Sequence, residues 1–424
     1  MSTIPAVLLV SFIACVAVAV RRLFFSTTSA IPGPWYTKVS RLYLAYQEFF
    51  GRHCEAIDSL FSRYGPVVCV APGVVLFTLR EDYKASKIVY SSFPKVESYT
   101  SFRMHDIPSV DNKGHLVCRR RVHTFWLPSN LAQFREDLQS CVAKFVGMIS
   151  SNGGRTPLDA LELSHHLMAS IDLMALVVLG EQLGALDGLV DGRRHVLCEP
   201  TRDFISMATL RNVLPKWTWR FLKQVPIARW RRFCSAGEII VADVVRRHAG
   251  LEGQRESLLN HLVATSRRSA EPITEIELVA ECSDHFIAGA DFLSTMLAFS
   301  LAHLGRQPEF TRRLREEVLS TDPNNLDGAP FLSAFVKEAL RMYASAPGPL
   351  LRIVPSTREL KLSGHAIPAG AAIGVQALSS HFDHQVFQDP ETFVPDRWID
   401  AKANESPAYP RRPAPVKLRF IPVE

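Results

Sequence analysis

The sequence predicts a mainly α fold with small β-sheets, preceded by one N-terminal transmembrane helix. Three observations predict it. Residues 4–20, IPAVLLVSFIACVAVAV, carry no charge, and Arg21 and Arg22 follow at once. Apolar residues then recur at helical spacing over 133–149, 158–179, 238–248, 276–304, 309–319 and 332–343. Beyond Ala346-Pro347-Gly348-Pro349 the texture changes to short β-rich runs at 350–354, 359–362, 365–367 and 371–376.

The elements can be justified in order. Seventeen uncharged residues are the short end of a membrane span, and the two arginines lengthen it by snorkelling. A cleaved signal peptide is the competing reading, with Thr28-Ser29-Ala30 as a cleavage site, but its positive charge would precede the apolar run. The positive-inside rule places everything after Arg21 in the cytosol. Pro32-Gly33-Pro34 reads as a stiff spacer between membrane and globule. Residues 58–64 read as the end of a helix broken by Gly65-Pro66. A hairpin over 67–78 turns at Pro72-Gly73. Gly305 should stop the long apolar helix, and Pro308 suits the first turn of the next. The domain division expected is an anchor at 1–25, one large globular domain at 26–398, and an atypical, disordered, Pro-rich basic tail at 399–424.

Composition narrows the function classes. The chain has 424 residues, 47% hydrophobic, which is ample for a large core. A formal charge of +6, spread along the chain, makes no case for nucleic acid. The eight cysteines show no CxxC and no Cys/His zinc spacing, and read as free thiols in a reducing compartment. Nothing resembles a Gly-rich nucleotide loop, a nucleophile elbow or HExxH.

Four patterns carry candidate chemistry, each with a plainer alternative. Glu338-x-x-Arg341 puts both charges on one helix face, but Glu199/Arg202, Glu252/Arg255 and Glu309/Arg312 share the spacing, and surface pairs contribute little. Arg397, in Phe393-Val394-Pro395-Asp396-Arg397-Trp398, would reach a buried carboxylate such as Glu338, or be a basic residue in a turn. Ala288-Gly289-Ala290-Asp291 interrupts the long apolar helix. It would admit close approach to the backbone, or serve helix–helix packing with Asp291 bonded to a neighbour. His115 and Arg119, four apart, would grip a carboxylate or propionate, or form a solvated basic face with Arg120 and Arg121.

In order, these pieces resemble the cytochrome P-450 family, and its fungal microsomal members in particular. The resemblance runs from the first residue to about Trp398 and takes in the anchor, Pro32-Gly33-Pro34, Tyr64-Gly65-Pro66, residues 115–121, Ala288 to Asp291, Glu338-x-x-Arg341 and Phe393-x-Pro395-x-Arg397-Trp398. It implies a cytochrome P-450-like fold and a haem b cofactor. His115, Arg119 and Arg352 would hold the haem propionates, and Ala288 and Gly289 would cross its distal face. Asp291 and Thr295 would be the catalytic proton-relay groups. Glu338, Arg341 and Arg397 would be a buried structural triad, which requires mutual pairing.

Two departures stand out. The family places threonine after the distal acid; here Phe292 and Leu293 follow Asp291, and Thr295 lies one turn away. The family also carries its iron-ligating cysteine after the Arg-Trp motif, whereas no cysteine follows Cys282 and no glycine follows Gly374. The expectation is therefore a C-terminally truncated chain with no metal ligand of its own and doubtful haem binding. The leading function expected is haem-dependent monooxygenation of a lipophilic small molecule, in secondary metabolite biosynthesis. Electrons would come from NADPH-cytochrome P-450 reductase, on the cytosolic side of the endoplasmic reticulum membrane. The alternative is a non-catalytic remnant or binding protein, and a third reading is an isomerase or dehydratase on the same scaffold.

Overall fold

The computed structural model describes residues 3–80, 83–96, 112–151, 163–190, 193–213, 216–251, 256–269, 272–322, 326–344 and 347–399. Helices dominate these residues, and the expected tail beyond 399 lies outside them. The fold is organised by one 32-residue helix, Glu275–Arg306, called the long helix below. Thr274 starts it with a capping box: Glu277 N–H donates to Thr274 Oγ1 at 3.3 Å, and Thr274 N–H donates to Glu277 Oε2 at 2.8 Å. It ends one residue past Gly305, where Gln307 N–H closes onto His303 O and Pro308 opens the helix Pro308–Ser320.

The long helix is two-sided. Leu278, Val279, Cys282, Phe286, Ile287 and Ala290 are buried in the main core, chiefly against the apolar helix Leu163–Leu179 with Ile171, Ala175, Leu176 and Val178. Burying one such large side chain contributes about 1.5–3 kcal/mol, so this seam is a principal source of stability. One described helix is long and apolar enough to cross a membrane by length and composition alone, and it is this one; its packing identifies it as a core helix.

The β portion is a four-stranded sheet and a separate hairpin. In chain order the strands are β1 Val67–Ala71, β2 Val74–Phe77, β3 Pro349–Ile353, β4 Leu360–Leu362, β5 His365–Ile367 and β6 Ala372–Gln376. The sheet order is β1-β2-β6-β3, with β2 and β6 parallel and the other neighbours antiparallel; β4 and β5 form the hairpin. Each strand lies within about one residue of its expected place. The sheet thus joins residues near 70 to residues near 370 and fixes β3, which carries Arg352, against the N-terminal part of the chain.

Two local outcomes differ from expectation. Pro32-Gly33-Pro34 is docked on β1 instead of standing free as a spacer. Cys69 N–H donates to Pro32 O at 2.7 Å, Thr37 Oγ1 donates to Cys69 O at 2.8 Å, and Ile31 is buried against the sheet. Gly33 adopts φ +146°, and a Cβ there would stand 2.7 Å from Cys69 O. Glycine is required by contact as much as by conformation. The helix Cys198–Val213 had no clear periodic signal, because its core side includes the polar Thr201 and Asp203 beside Phe204, Met207 and Ala208.

The N-terminal helix Thr3–Phe24 leaves Val7, Leu9, Val10, Phe12 and Ile13 exposed. Arg22 Nη1 donates to Val39 O at 2.6 Å at its far end.

Two glycine substitutions test this packing in opposite directions. Gly33→Ala should destabilise the protein by about 1–3 kcal/mol, since the added methyl meets backbone. Gly147→Ala, in the helix Arg135–Ser151 with open space around its Cα, should stabilise it by about 0.5–1 kcal/mol. Urea denaturation midpoints read both.

Candidate functional site

The best-defined polar constellation is built on one carboxylate. Glu338 lies on the helix Pro330–Met342, whose apolar face buries Phe331, Ala334, Phe335 and Ala339 and carries Glu338 and Arg341 inward with it. Both charges are almost wholly buried, at 0% and 2% exposure. Arg341 Nε donates to Glu338 Oε2 at 3.0 Å and Nη2 to Oε1 at 2.8 Å, the two-point geometry of guanidinium and carboxylate. Arg397 Nε adds a bond to Oε1 at 3.1 Å across 59 residues of sequence. Two donors absent from the sequence reading complete the shell: the Val394 N–H to Oε1 at 2.9 Å and the Trp398 indole to Oε2 at 2.8 Å.

The arginines are equally well occupied. Arg341 Nη1 donates to the carbonyls of His381 (2.8 Å) and Pro390 (2.7 Å), and Arg397 Nη1 to Gln388 O (2.7 Å). Phe387 lies beneath both guanidinium groups, at 5.0 and 5.8 Å. Burial would push the Glu338 carboxyl up; the bonds from Arg341, Val394 and Trp398 outweigh it and hold the carboxyl below its ordinary value. A buried charge of this kind is tolerable only with such a shell.

A second grip on the same turn was also invisible in the sequence. Arg313, on the helix Pro308–Ser320, forms two bonds to Asp396 at 2.8 and 2.7 Å and stacks on Phe331 at 3.8 Å. Glu317, one turn on, accepts the N–H groups of Phe331 and Leu332, both at 2.8 Å, capping the start of the Glu338 helix. By contrast Glu309 and Arg312, which share the Glu338/Arg341 spacing, pair on the surface at more than half exposure.

The second constellation is the open side of the long helix. Ala288 is exposed there, and Asp291, Phe292 and Thr295 are half-buried on the same side. Asp291 and Thr295 lie four apart and so share a face one turn from each other. Burial alone pushes the Asp291 carboxyl up to about 6. Gly289 faces the other way: a Cβ there would meet Met174 Sδ and Cε at 2.3 Å. The close approach at Gly289 is therefore made by Met174 of the helix Leu163–Leu179, the packing alternative of the sequence reading. Ser294 is buried, its hydroxyl donating to Asp291 O at 2.9 Å.

The basic groups are less concentrated. Arg119 is exposed on the helix Asn112–His123; the His115 side chain lies outside the described residues. Arg121 lies 3.9 Å from Glu277. Arg352 on β3 donates to Leu351 O at 2.9 Å and stands over the Tyr90 ring at 5.2 Å.

A haem implied by the resemblance needs a face, propionate partners and a thiolate. The open side of the long helix fits the face, and Arg119 and Arg352 are cations of the right type. The thiolate position is not met. Cys69, Cys118, Cys141, Cys198, Cys234 and Cys282 are buried, Cys15 lies on the exposed N-terminal helix, and burial pushes the Cys54 thiol up to about 12. Burial likewise raises Cys282, which sits on the core side of the long helix.

Removing one member of the Glu338 cluster should cost roughly 3–5 kcal/mol, because the others stay buried and charged. Arg397→Ala should thus harm stability about as much as Glu338→Ala, with a far from additive double mutant, while Glu309→Ala is nearly silent. The pH signs are opposite at the two carboxyls. Glu338, held low, contributes stability that is lost as pH falls below its ordinary value of 4.5. Asp291, raised from 3.8 to about 6, costs stability as pH rises through that window. Asp291→Asn should match the wild type near pH 4 and be more stable near pH 7 in thermal unfolding.

Comparisons with known proteins agree with this geometry. A cytochrome P-450 family model matches residues 39–412. The chain is 27% identical to the cytochrome P-450 monooxygenase mfmF of Annulohypoxylon moriforme, over 89% of this chain and 80% of that protein. It is 24% identical to the monooxygenase aba2 of Botryotinia fuckeliana, over 91% of this chain and 77% of that one. The figures for cpaH of Aspergillus oryzae are 23%, 93% and 78%. Among solved structures, retinoic acid-bound cyanobacterial CYP120A1 superposes with a TM-score of 0.63 at 17% identity, covering 80% of this chain and 75% of that one, which speaks for the fold. With a family model spanning most of its length and monooxygenases aligned along about nine-tenths of it, the chain belongs to the cytochrome P-450 family.

Proposed function

We propose that this protein is a haem-dependent monooxygenase of secondary metabolism that oxidises a lipophilic small molecule, with electrons from NADPH-cytochrome P-450 reductase. The observation that carries the reading is the open side of the long helix, where a half-buried acid with a value of about 6 sits beside exposed Ala288. Fungal monooxygenase relatives support the reaction class. In the family the haem iron supplies the oxygen chemistry. The residues present do not supply its thiolate ligand.

The chain's own groups have definable parts. Asp291 is poised to hold a proton near neutral pH and to release it, as a relay group must. Phe292 offers no hydrogen bond, so Thr295, one turn along, is the hydroxyl that would share the relay. Arg119 and Arg352 would meet propionates. Glu338, Arg341 and Arg397 hold the turn at 395–398 in place. The helix Thr3–Phe24 would tether the chain to the endoplasmic reticulum membrane with its bulk in the cytosol, its exposed apolar side chains being the support for this.

Two experiments check the reading. Deleting residues 1–22 should release the protein from microsomes, at least in part; protection of the main domain from added protease in intact microsomes would contradict the orientation. The 424-residue chain should show no thiolate-type Soret band in its reduced carbon monoxide spectrum, given its cysteines. Replacing residues 400–424 by a cysteine-bearing carboxyl-terminal segment of a fungal relative should restore that band and NADPH-dependent oxidation of lipophilic compounds. A chimera that binds haem as a thiolate complex yet oxidises nothing with reductase present would favour the non-catalytic reading.

A further inference from the structure

Three buried polar atoms from three elements gather at the start of the helix His53–Tyr64. Among the described residues, Nε2 of His53, Oγ1 of Thr78 and Oε1 of Gln376 are buried and have no hydrogen-bond partner within the protein. Their placement follows from the sheet. β2 and β6 run parallel with Leu76 opposite Gly374, so two residues further on Thr78 stands beside Gln376 on the same face. Thr78 N–H donates to Pro66 O at 2.9 Å, so the strand path continues through it. The helix His53–Tyr64 covers that face, since Leu76 packs with its Ile57, Leu60 and Phe61. His53 precedes Ile57 by four residues and shares its sheet-facing side. Gln376 reaches the same place. It is fully buried, and its Nε2 donates to Cys54 O at 3.0 Å and to Ser379 Oγ at 2.8 Å.

We propose that these atoms form a binding site for one internal water molecule, which fastens the first turn of this helix to the ends of β2 and β6. The count of donors and acceptors closes on water. Turning the Gln376 amide over would set its oxygen against the Cys54 carbonyl, so Oε1 is fixed as an acceptor. Glu48 accepts from Nδ1 of His53, which in the neutral ring leaves Nε2 a second acceptor. The Thr78 hydroxyl can rotate to donate. A water gives one hydrogen to Oε1 and one to Nε2, and accepts the hydrogen of Thr78 Oγ1. About three bonds is the usual complement of a buried water.

The site accounts for polar side chains at one end of an otherwise apolar seam. A buried polar atom left unanswered is costly, and one water answers three. It also joins parts distant in sequence. Gln376 is the residue before the helix Ala377–His381, and His381 O receives Arg341 Nη1 at 2.8 Å. The water therefore secures the helix His53–Tyr64 and β2 to the segment that leads into the Arg341 contacts. Arg80 and Asp383, 3.4 Å apart, tie the same two stretches of chain nearer the surface. The site owes nothing to haem or to the oxygenase reading.

A crystal structure of the full chain in detergent should show one water oxygen within about 3.2 Å of Nε2, Oγ1 and Oε1. Three outcomes overturn the proposal: no density there, the three atoms bonded to protein groups instead, or a contact of about 2.1 Å to Nε2, which is a metal distance. In solution, urea unfolding reads the shared water. Thr78→Val is close in shape and should lower the folding equilibrium constant about three- to tenfold. His53→Phe removes a second partner of the same water. The double variant should lose at least about twofold less than the product of the two single losses, because the second change acts on a water already released. Single losses that multiply to within less than about twofold overturn the shared site. Should His53→Phe not fold, the crystallographic result decides alone.

Discussion

A carboxylate with no contact with water needs every one of its lone pairs answered, and Glu338 is where this chain meets that constraint. Five bonds reach its two oxygens: two from Arg341 and one each from Arg397, Trp398 and the Val394 N–H. Four donor residues must therefore converge on one point, three of them from a segment some 60 residues further along. The turn at 395–398 has little core of its own; Pro395 is its buried residue. Its position is set by ion pairs from two helices, through Arg397 on the inside and Asp396 on the outside. The rest of the C-terminal part hangs on the same knot, because Arg341 also ties down the carbonyls of His381 and Pro390.

The long helix supplies the opposite kind of order. Its core side is mostly apolar and close-packed, to the point that Met174 fills the space a Cβ at Gly289 would take. Its open side carries Ala288, Asp291 and Thr295. The two systems meet at its C-terminal end, where Phe299 stacks on Tyr343 and His303 lies against Phe393, next to Val394. The packed face and the open face are thus joined to the Glu338 cluster by a short run of aromatic rings.

Much of this was legible in the sequence because the signals were periodic or local. The long helix, the hairpin at β1 and β2 and the later strands follow from apolar spacing and from Gly and Pro. The convergence of Glu338, Arg341 and Arg397 was accessible through resemblance; spacing alone does not separate it from Glu309 and Arg312, which lie on the surface. Other features left no local trace. Arg313 and Asp396 meet across 83 residues. The helix Cys198–Val213 buries Thr201 and Asp203 and so hides its own period. Gly289 fits two functions equally well until its neighbour is known. Pro32-Gly33-Pro34 reads as a spacer because the strand that receives it lies more than 30 residues on.

The measurement that bears most directly on the Glu338 knot is native-state hydrogen exchange at the two N–H groups that end on it, the Val394 amide and the Trp398 indole. If the cluster holds this part of the fold, both should exchange only through the opening that exposes the core amides around Phe286 in the long helix, with the same free energy and denaturant dependence. Exchange of either group through a separate, low-energy opening, while the long helix stays protected, would contradict the account.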